Sequence, residues 1–190
     1  MNLNYEKNLV NNPVATILIS HIHSDTDDKY SYIINKLNEY NFNVYKHKVN
    51  NFYNLNKLTS DYNHTINLIK KENPRYPIFI LAYDLSTYIL LRYGSINKNI
   101  FDGAILYSPQ YLNNKEENIT FEDDIILSNL YKFNYPSLIL NKSYNDTNSS
   151  YGKFLFNNIL SRDKEFNVFN NLNDDNSIEY ICKWIKNRLV

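Results

Sequence analysis

Ile78-Phe-Ile-Leu-Ala-Tyr-Asp-Leu-Ser86 is the stretch on which the fold turns. Ile78 to Tyr83 is an unbroken apolar run of strand length, and from Leu85 to Tyr93 the pattern reads as a helix. A strand that passes into a helix through a single residue has the layout of a nucleophile elbow. Such a turn tolerates only small residues two positions before and after its apex, because the strand and helix backbones nearly touch there. Ala82 and Ser86 meet that demand. The apex is Asp84, where a serine would usually stand. The turn is kept and the group it presents is changed.

On either side of this stretch, strand-type and helix-type segments alternate. Thr16 to His21 reads as a buried strand, and Tyr32, Ile33, Leu37 and Tyr40 then recur at helical spacing. Asn43 to Val49 reads as a strand. A helix from about Asp61, marked by Ile66, Leu68 and Ile69, stops before Asn73-Pro74, because the residue before proline avoids helical angles. Gly94 reads as the cap of the elbow helix. Gly103 to Tyr107 and Ser137 to Leu140 are further strands. Tyr151 to Leu160 is helical, Phe166 to Phe169 is the last strand, and Ile178, Ile181, Cys182 and Ile185 share one face of a closing helix, Ile178 to Leu189. Strands alternating with helices predict a mainly parallel sheet of about six strands, wrapped on both faces as a three-layer sandwich.

Composition narrows the function. With 190 residues, 43% of them hydrophobic, residues 1–190 are expected to form one domain. Twenty basic and twenty acidic residues cancel, which argues against a nucleic-acid partner. The single cysteine, Cys182, lies among apolar residues and reads as a buried thiol. Met1 to Asn12 lacks an apolar signal core and no run approaches membrane-spanning length, so a cytoplasmic location is expected. Abundant Asn, Lys, Ile and Tyr fit an AT-rich genome, and the asparagines are given no functional weight.

Four segments together resemble a known family: Leu18-Ile-Ser-His21, Asn73-Pro-Arg-Tyr-Pro-Ile-Phe-Ile-Leu81, Phe101-Asp-Gly-Ala-Ile-Leu-Tyr-Ser-Pro109 and Tyr135-Pro-Ser-Leu-Ile-Leu140. Their order and spacing resemble the α/β-hydrolase superfamily, in its monoacylglycerol lipase and lysophospholipase branch, which includes monoglyceride-lipase-like proteins of poxviruses. The resemblance implies an α/β-hydrolase fold in which 111–133 is the remnant of a lid. It also implies, for a viral source, the host cytoplasm.

Catalysis in that family needs a serine, a histidine base, an acid that orients it and an oxyanion hole. The resemblance places Asp84 at the serine, Asn145 at the acid with Asp146 adjacent, and Asp174 at the histidine. No histidine follows His64. The oxyanion region falls on His21, Ile22 and Leu85, with Ile22 replacing the glycine of a His-Gly pair. The expectation is a pseudoenzyme: a binding or interaction protein for a small lipid or acyl ligand, or a host protein, with no cofactor. Tyr83, Tyr107 and Tyr111 follow strand ends on the face where such a pocket opens.

Two other chemistries are weighed. Some members of the superfamily attack with aspartate, so Asp84 as nucleophile in a residual esterase is an alternative, with Asp174 a weak base. His21, His23 and Asp25 also resemble a zinc motif of metallo-β-lactamase-fold hydrolases. That motif's next histidine is Thr26, glycine-rich turns are missing from a chain with three glycines, and the strand-helix alternation contradicts the fold, so no metal is assigned. His47, between two lysines, is expected to face solvent or a loop, and His64 to lie off the apolar face of its helix.

Overall fold

The computed structural model describes residues 5–22, 28–49, 55–110, 129–142, 146–170 and 174–189. Seven strands form one sheet: β1 (Tyr5–Asn8), β2 (Ala15–Ile22), β3 (Phe42–Val49), β4 (Ile78–Tyr83), β5 (Gly103–Tyr107), β6 (Ser137–Lys142) and β7 (Lys164–Phe169). Their spatial order is β1-β3-β2-β4-β5-β6-β7. Every pairing is parallel except β1 with β3. Among the described residues five α-helices flank them: α1 (Asp28–Glu39), α2 (Leu55–Glu72), α3 (Ser86–Ile96), α4 (Asp146–Asn158) and, after the last strand, α5 (Asp175–Lys186).

Parallel strands need crossover helices, and those helices bury both faces of the sheet. The central strands therefore carry apolar side chains on both sides. Leu18, Tyr45, Ile80, Ala82, Leu106 and Ile139 face α2, α3 and α4, where they meet Tyr62, Ile66, Ile89, Tyr93 and Leu155. Ile17, Ile19, Val44, Phe79, Leu81 and Leu138 face α1 and α5, where they meet Ile33, Leu37, Ile181, Cys182 and Trp184. Each fully buried side chain of this size contributes about 1.5–3 kcal/mol of transfer free energy. Gly103 lets the second layer close, since a Cβ there would sit 2.7 Å from the Phe79 ring and 3.2 Å from Trp184.

Two expectations are corrected, and the expected mainly parallel sheet gains a seventh strand: β1 adds an antiparallel edge that its sequence, Tyr-Glu-Lys-Asn, does not announce. It is held by partners elsewhere: Lys7 pairs with Glu72 at 2.5 Å, and Glu6 with the buried Lys46 at 2.8 Å. β1 makes β3 an interior strand and α2 covers its face, so His47 is buried, at 4% exposure, with its ring edge-on to Tyr62 of α2 rather than facing solvent. Gly94 does not cap its helix; α3 runs through it to Ile96, and Phe133 and Tyr135 pack where a side chain would be. The helix ends instead at Asn97, whose backbone N–H and Nδ2 both donate to the Tyr93 carbonyl.

Helix boundaries also move. α2 begins at Leu55 rather than near Asp61, and α5 begins at Asp175, three residues before its first apolar position. Left-handed backbone occurs at Asn12, Asn41, Asp84, Asn99 and Ser108, and at no glycine. No helix among the described residues is long and apolar enough to cross a membrane.

Candidate functional site

Asp84 stands at the junction of β4 and α3, above the carboxyl ends of the strands. Its φ of 48° is left-handed, a region that aspartate enters more readily than most residues with a Cβ. Three hydrogen bonds hold it there. The Asp84 N–H donates to the Tyr107 carbonyl at 3.0 Å, while its own carbonyl accepts from the Thr87 N–H at 3.2 Å and from Thr87 Oγ1 at 2.6 Å. Ala82 and Ser86 are completely buried on either side. The backbone geometry is that of an elbow, and the residue it lifts is a carboxylate.

The half-buried Asp84 carboxylate receives a hydrogen bond from Gln110 Nε2 at 3.3 Å. Gln110 lies three residues past the end of β5 and was not singled out by sequence; an amide at the carboxyl end of the neighbouring strand was the available signal. Leu85 is the half-buried residue capping α3 and offers no side-chain cap.

Asp174 has a different occupation. It is the N-cap of α5, its Oδ1 accepting from the Ser177 N–H at 2.9 Å, and its carbonyl accepting from Ser177 Oγ at 3.0 Å. A carboxylate so engaged stabilises the helix start by about 1 kcal/mol.

Between the two aspartates lies a buried aromatic floor. Tyr83 and Tyr107 are 2% and 3% exposed, with ring centroids 4.4 Å apart. Burial raises the Tyr107 phenol well above its ordinary value; a hydrogen bond with the Ser177 side chain works against this, and the charges of Asp174 and Asp84 add to it. Both carboxylates thus act on one neutral phenol. Tyr83 is raised for the same leading reason, burial, with Tyr107, Tyr30 and Asp84 adding. Its hydroxyl is buried without a hydrogen-bond partner among the described residues.

The same floor absorbs His21. The ring is 1% exposed and stacks on Tyr30 with centroids 4.3 Å apart, and Tyr30 in turn meets Tyr83 edge-on at 5.4 Å. His21, Tyr30, Tyr83 and Tyr107 form one continuous aromatic line beneath the elbow, packed under α1 and α5. Tyr30 escaped the sequence reading because it precedes the apolar repeat from Tyr32 that marked α1.

Asn145, Tyr111, His23 and Asp25 lie outside the described residues, as do the side chains of Ile22 and Asp146. No three His, Cys, Asp or Glu side chains among the described residues converge to hold a metal ion. His47, on the opposite face of the sheet from His21, is held toward its neutral form by burial, which Asp61 partly offsets. His64 is exposed on α2. The Cys182 thiol is buried and pushed up to about 12, so it is unreactive at neutral pH.

No protein-family model and no curated protein sequence matches the chain. Solved structures do. A monoacylglycerol lipase from Paleococcus ferrophilus superposes with a TM-score of 0.71 and 14% identity, covering 100% of this chain and 98% of that one. MenH from S. aureus gives 0.76 at 13% identity over the whole of both chains. Est1E from Butyrivibrio proteoclasticus gives 0.78 at 10% identity, covering 98% of this chain and 94% of that one. At such identities the shared property is the fold, and the architecture here is the α/β-hydrolase fold.

Proposed function

We propose that this chain is a pseudoenzyme of the α/β-hydrolase fold, derived from a monoacylglycerol-lipase-like ancestor, which works by binding. The observation that carries the proposal is the pair of aspartates. Asp84 occupies the elbow apex in left-handed backbone, while Asp174, at the position the resemblance assigns to the base, is engaged as a helix cap.

The chemistry follows from that arrangement. Serine hydrolysis needs a hydroxyl and a base within hydrogen-bond reach, and Asp84 supplies no hydroxyl. An aspartate nucleophile would form an ester that water must then open, and that water needs a base. Asp174 is committed to Ser177, and His21 is stacked in the floor. Among the described residues the side chain that bonds the Asp84 carboxylate is an amide, Gln110, which is no base.

The Asp84 face binds a small lipid or acyl ligand, or a protein, in the cytoplasm, the host's if the source is viral. Hydrolysis of a short-chain monoacylglycerol and of an activated ester, measured beside Asp84→Asn after metal removal and again with zinc, tests this. Background rates throughout are expected. Turnover that disappears in Asp84→Asn would establish aspartate chemistry instead, and turnover that needs zinc would return attention to His21, His23 and Asp25.

A further inference from the structure

At the opposite pole of the sheet, where β4 and β5 begin, two loops flank an open cleft of about 550 Å³. One loop, 73–77, joins α2 to β4; the other, 97–102, joins α3 to β5. They are tied together. The Ile78 N–H donates to Asp102 Oδ2 at 2.7 Å, and the Asp102 N–H donates to the Ile78 carbonyl at 2.7 Å. Tyr135 Oη donates to the Asn97 carbonyl at 2.5 Å and accepts from the Ile100 N–H at 3.3 Å, while the Phe101 ring stacks on Tyr135 with centroids 3.8 Å apart. Pro74 and Pro77 fix backbone angles in one wall, and Asn99, at φ 56°, turns the other. The concavity is preformed and of a size that small ligands use.

Its charge is informative. Lys70 and Arg75 line the cleft, and neither makes an ion pair with a described residue, although this chain pairs Lys7, Lys36, Lys46, Lys183 and Arg188. Lys70, in the last turn of α2, suits the helix dipole wherever it points; Arg75 lies beyond the helix and has no such reason. Asp102, also in the lining, uses only Oδ2 in the tie between the loops. Two cations with one carboxylate oxygen beside them suit a ligand with an anionic group at one end and a hydrogen-bond donor at the other.

We propose that this cleft is a second binding site, separate from the Asp84 face, for a small organic anion bearing a hydroxyl or amino group. The anion, a carboxylate or a phosphate monoester, sits between Lys70 and Arg75, and the donor bonds Asp102 Oδ1. Nothing in this assignment depends on whether Asp84 is catalytic.

Titrating the isotopically labelled chain with glycolate and with glycerol phosphate, followed by amide chemical shifts, tests the site and distinguishes the two anions. The expected result is saturable shifts confined to 70–78 and 99–102 with at least one probe, weakened about tenfold or more in Lys70→Gln/Arg75→Gln and unchanged in Asp84→Asn. Acetate, which lacks the donor, binds more weakly than glycolate. Both cations are exposed, so the variant keeps its melting temperature, and Arg75→Gln alone gives a smaller loss of the same sign. Absence of saturation with either probe, or shifts that persist in the double variant, would overturn the assignment.

Discussion

Asp84 and Asp174 are the same residue type at two ends of one site, and the backbone gives them opposite freedoms. Asp174 starts a helix, and its carboxylate is consumed by the N–H three residues ahead. Asp84 sits at a turn held by main-chain atoms and the Thr87 hydroxyl, and its carboxylate accepts from a side-chain partner, Gln110, 26 residues away. A residue's availability for chemistry or binding is thus set by whether its local backbone already needs it.

The comparison can be broken most sharply at the elbow. Ala82→Leu drives a branched side chain into the completely buried gap between β4 and α3, and a loss of about 3 kcal/mol is expected in denaturant melts. If the loss were within error, strand and helix would not be in close approach and the elbow reading would fail. Asp84→Val forces a β-branched residue to hold φ near 48°; about 2 kcal/mol should go, with Asp84→Gly recovering most of it. A Val variant as stable as the parent would show that the turn relaxes.

Asp174→Ala removes a cap and should lower stability by about 1 kcal/mol, or roughly 2–4 °C in melting temperature. Asp174→Asn, which still accepts the Ser177 N–H, should stay within about 0.5 kcal/mol of the parent. Equal losses in the two variants would mean the charge, not the cap, is what matters. Asp84→Asn should be the mildest elbow change, within about 0.5 kcal/mol, because asparagine also tolerates left-handed backbone.

The shallowest effect belongs to His47. Burial lowers its folded pKa below the ordinary value near 6.5, so the unfolded chain binds the proton first. Its contribution is fully present above that value and is lost as pH falls below it, until the folded-state pKa is passed. His47→Gln should flatten this part of the acid limb; an unchanged slope would assign the limb to the carboxylates.

Most of the sheet was legible because β2, β4, β5 and β6 are buried on both faces and so read as continuous apolar runs. β1 was not, since Tyr5–Asn8 becomes a strand through what pairs with it, and the burial of His47 and Lys46 depends on Tyr62 and Tyr30 from helices far along the chain. Gly94 misled because a glycine late in a helix signals a cap, whereas here a close neighbour, Phe133, requires it. At the site, Asp84 and its small flanking residues were legible from one stretch. The capping role of Asp174 is legible too, in Asp174-Asp-Asn-Ser177 before an apolar repeat. Gln110 and Tyr30 reach the site only through folding.

The left-handed positions have one more consequence. Among the described residues three of the five are asparagines, although glycine is the usual choice for such backbone, and none of the chain's three glycines adopts it. Glycine codons begin with two guanines and asparagine codons with two adenines. A genome drifting toward adenine and thymine can therefore transfer the duty of turning the chain from one residue to the other. The turns at Asn12, Asn41 and Asn99 show that asparagine can carry the left-handed backbone of a chain that has only three glycines.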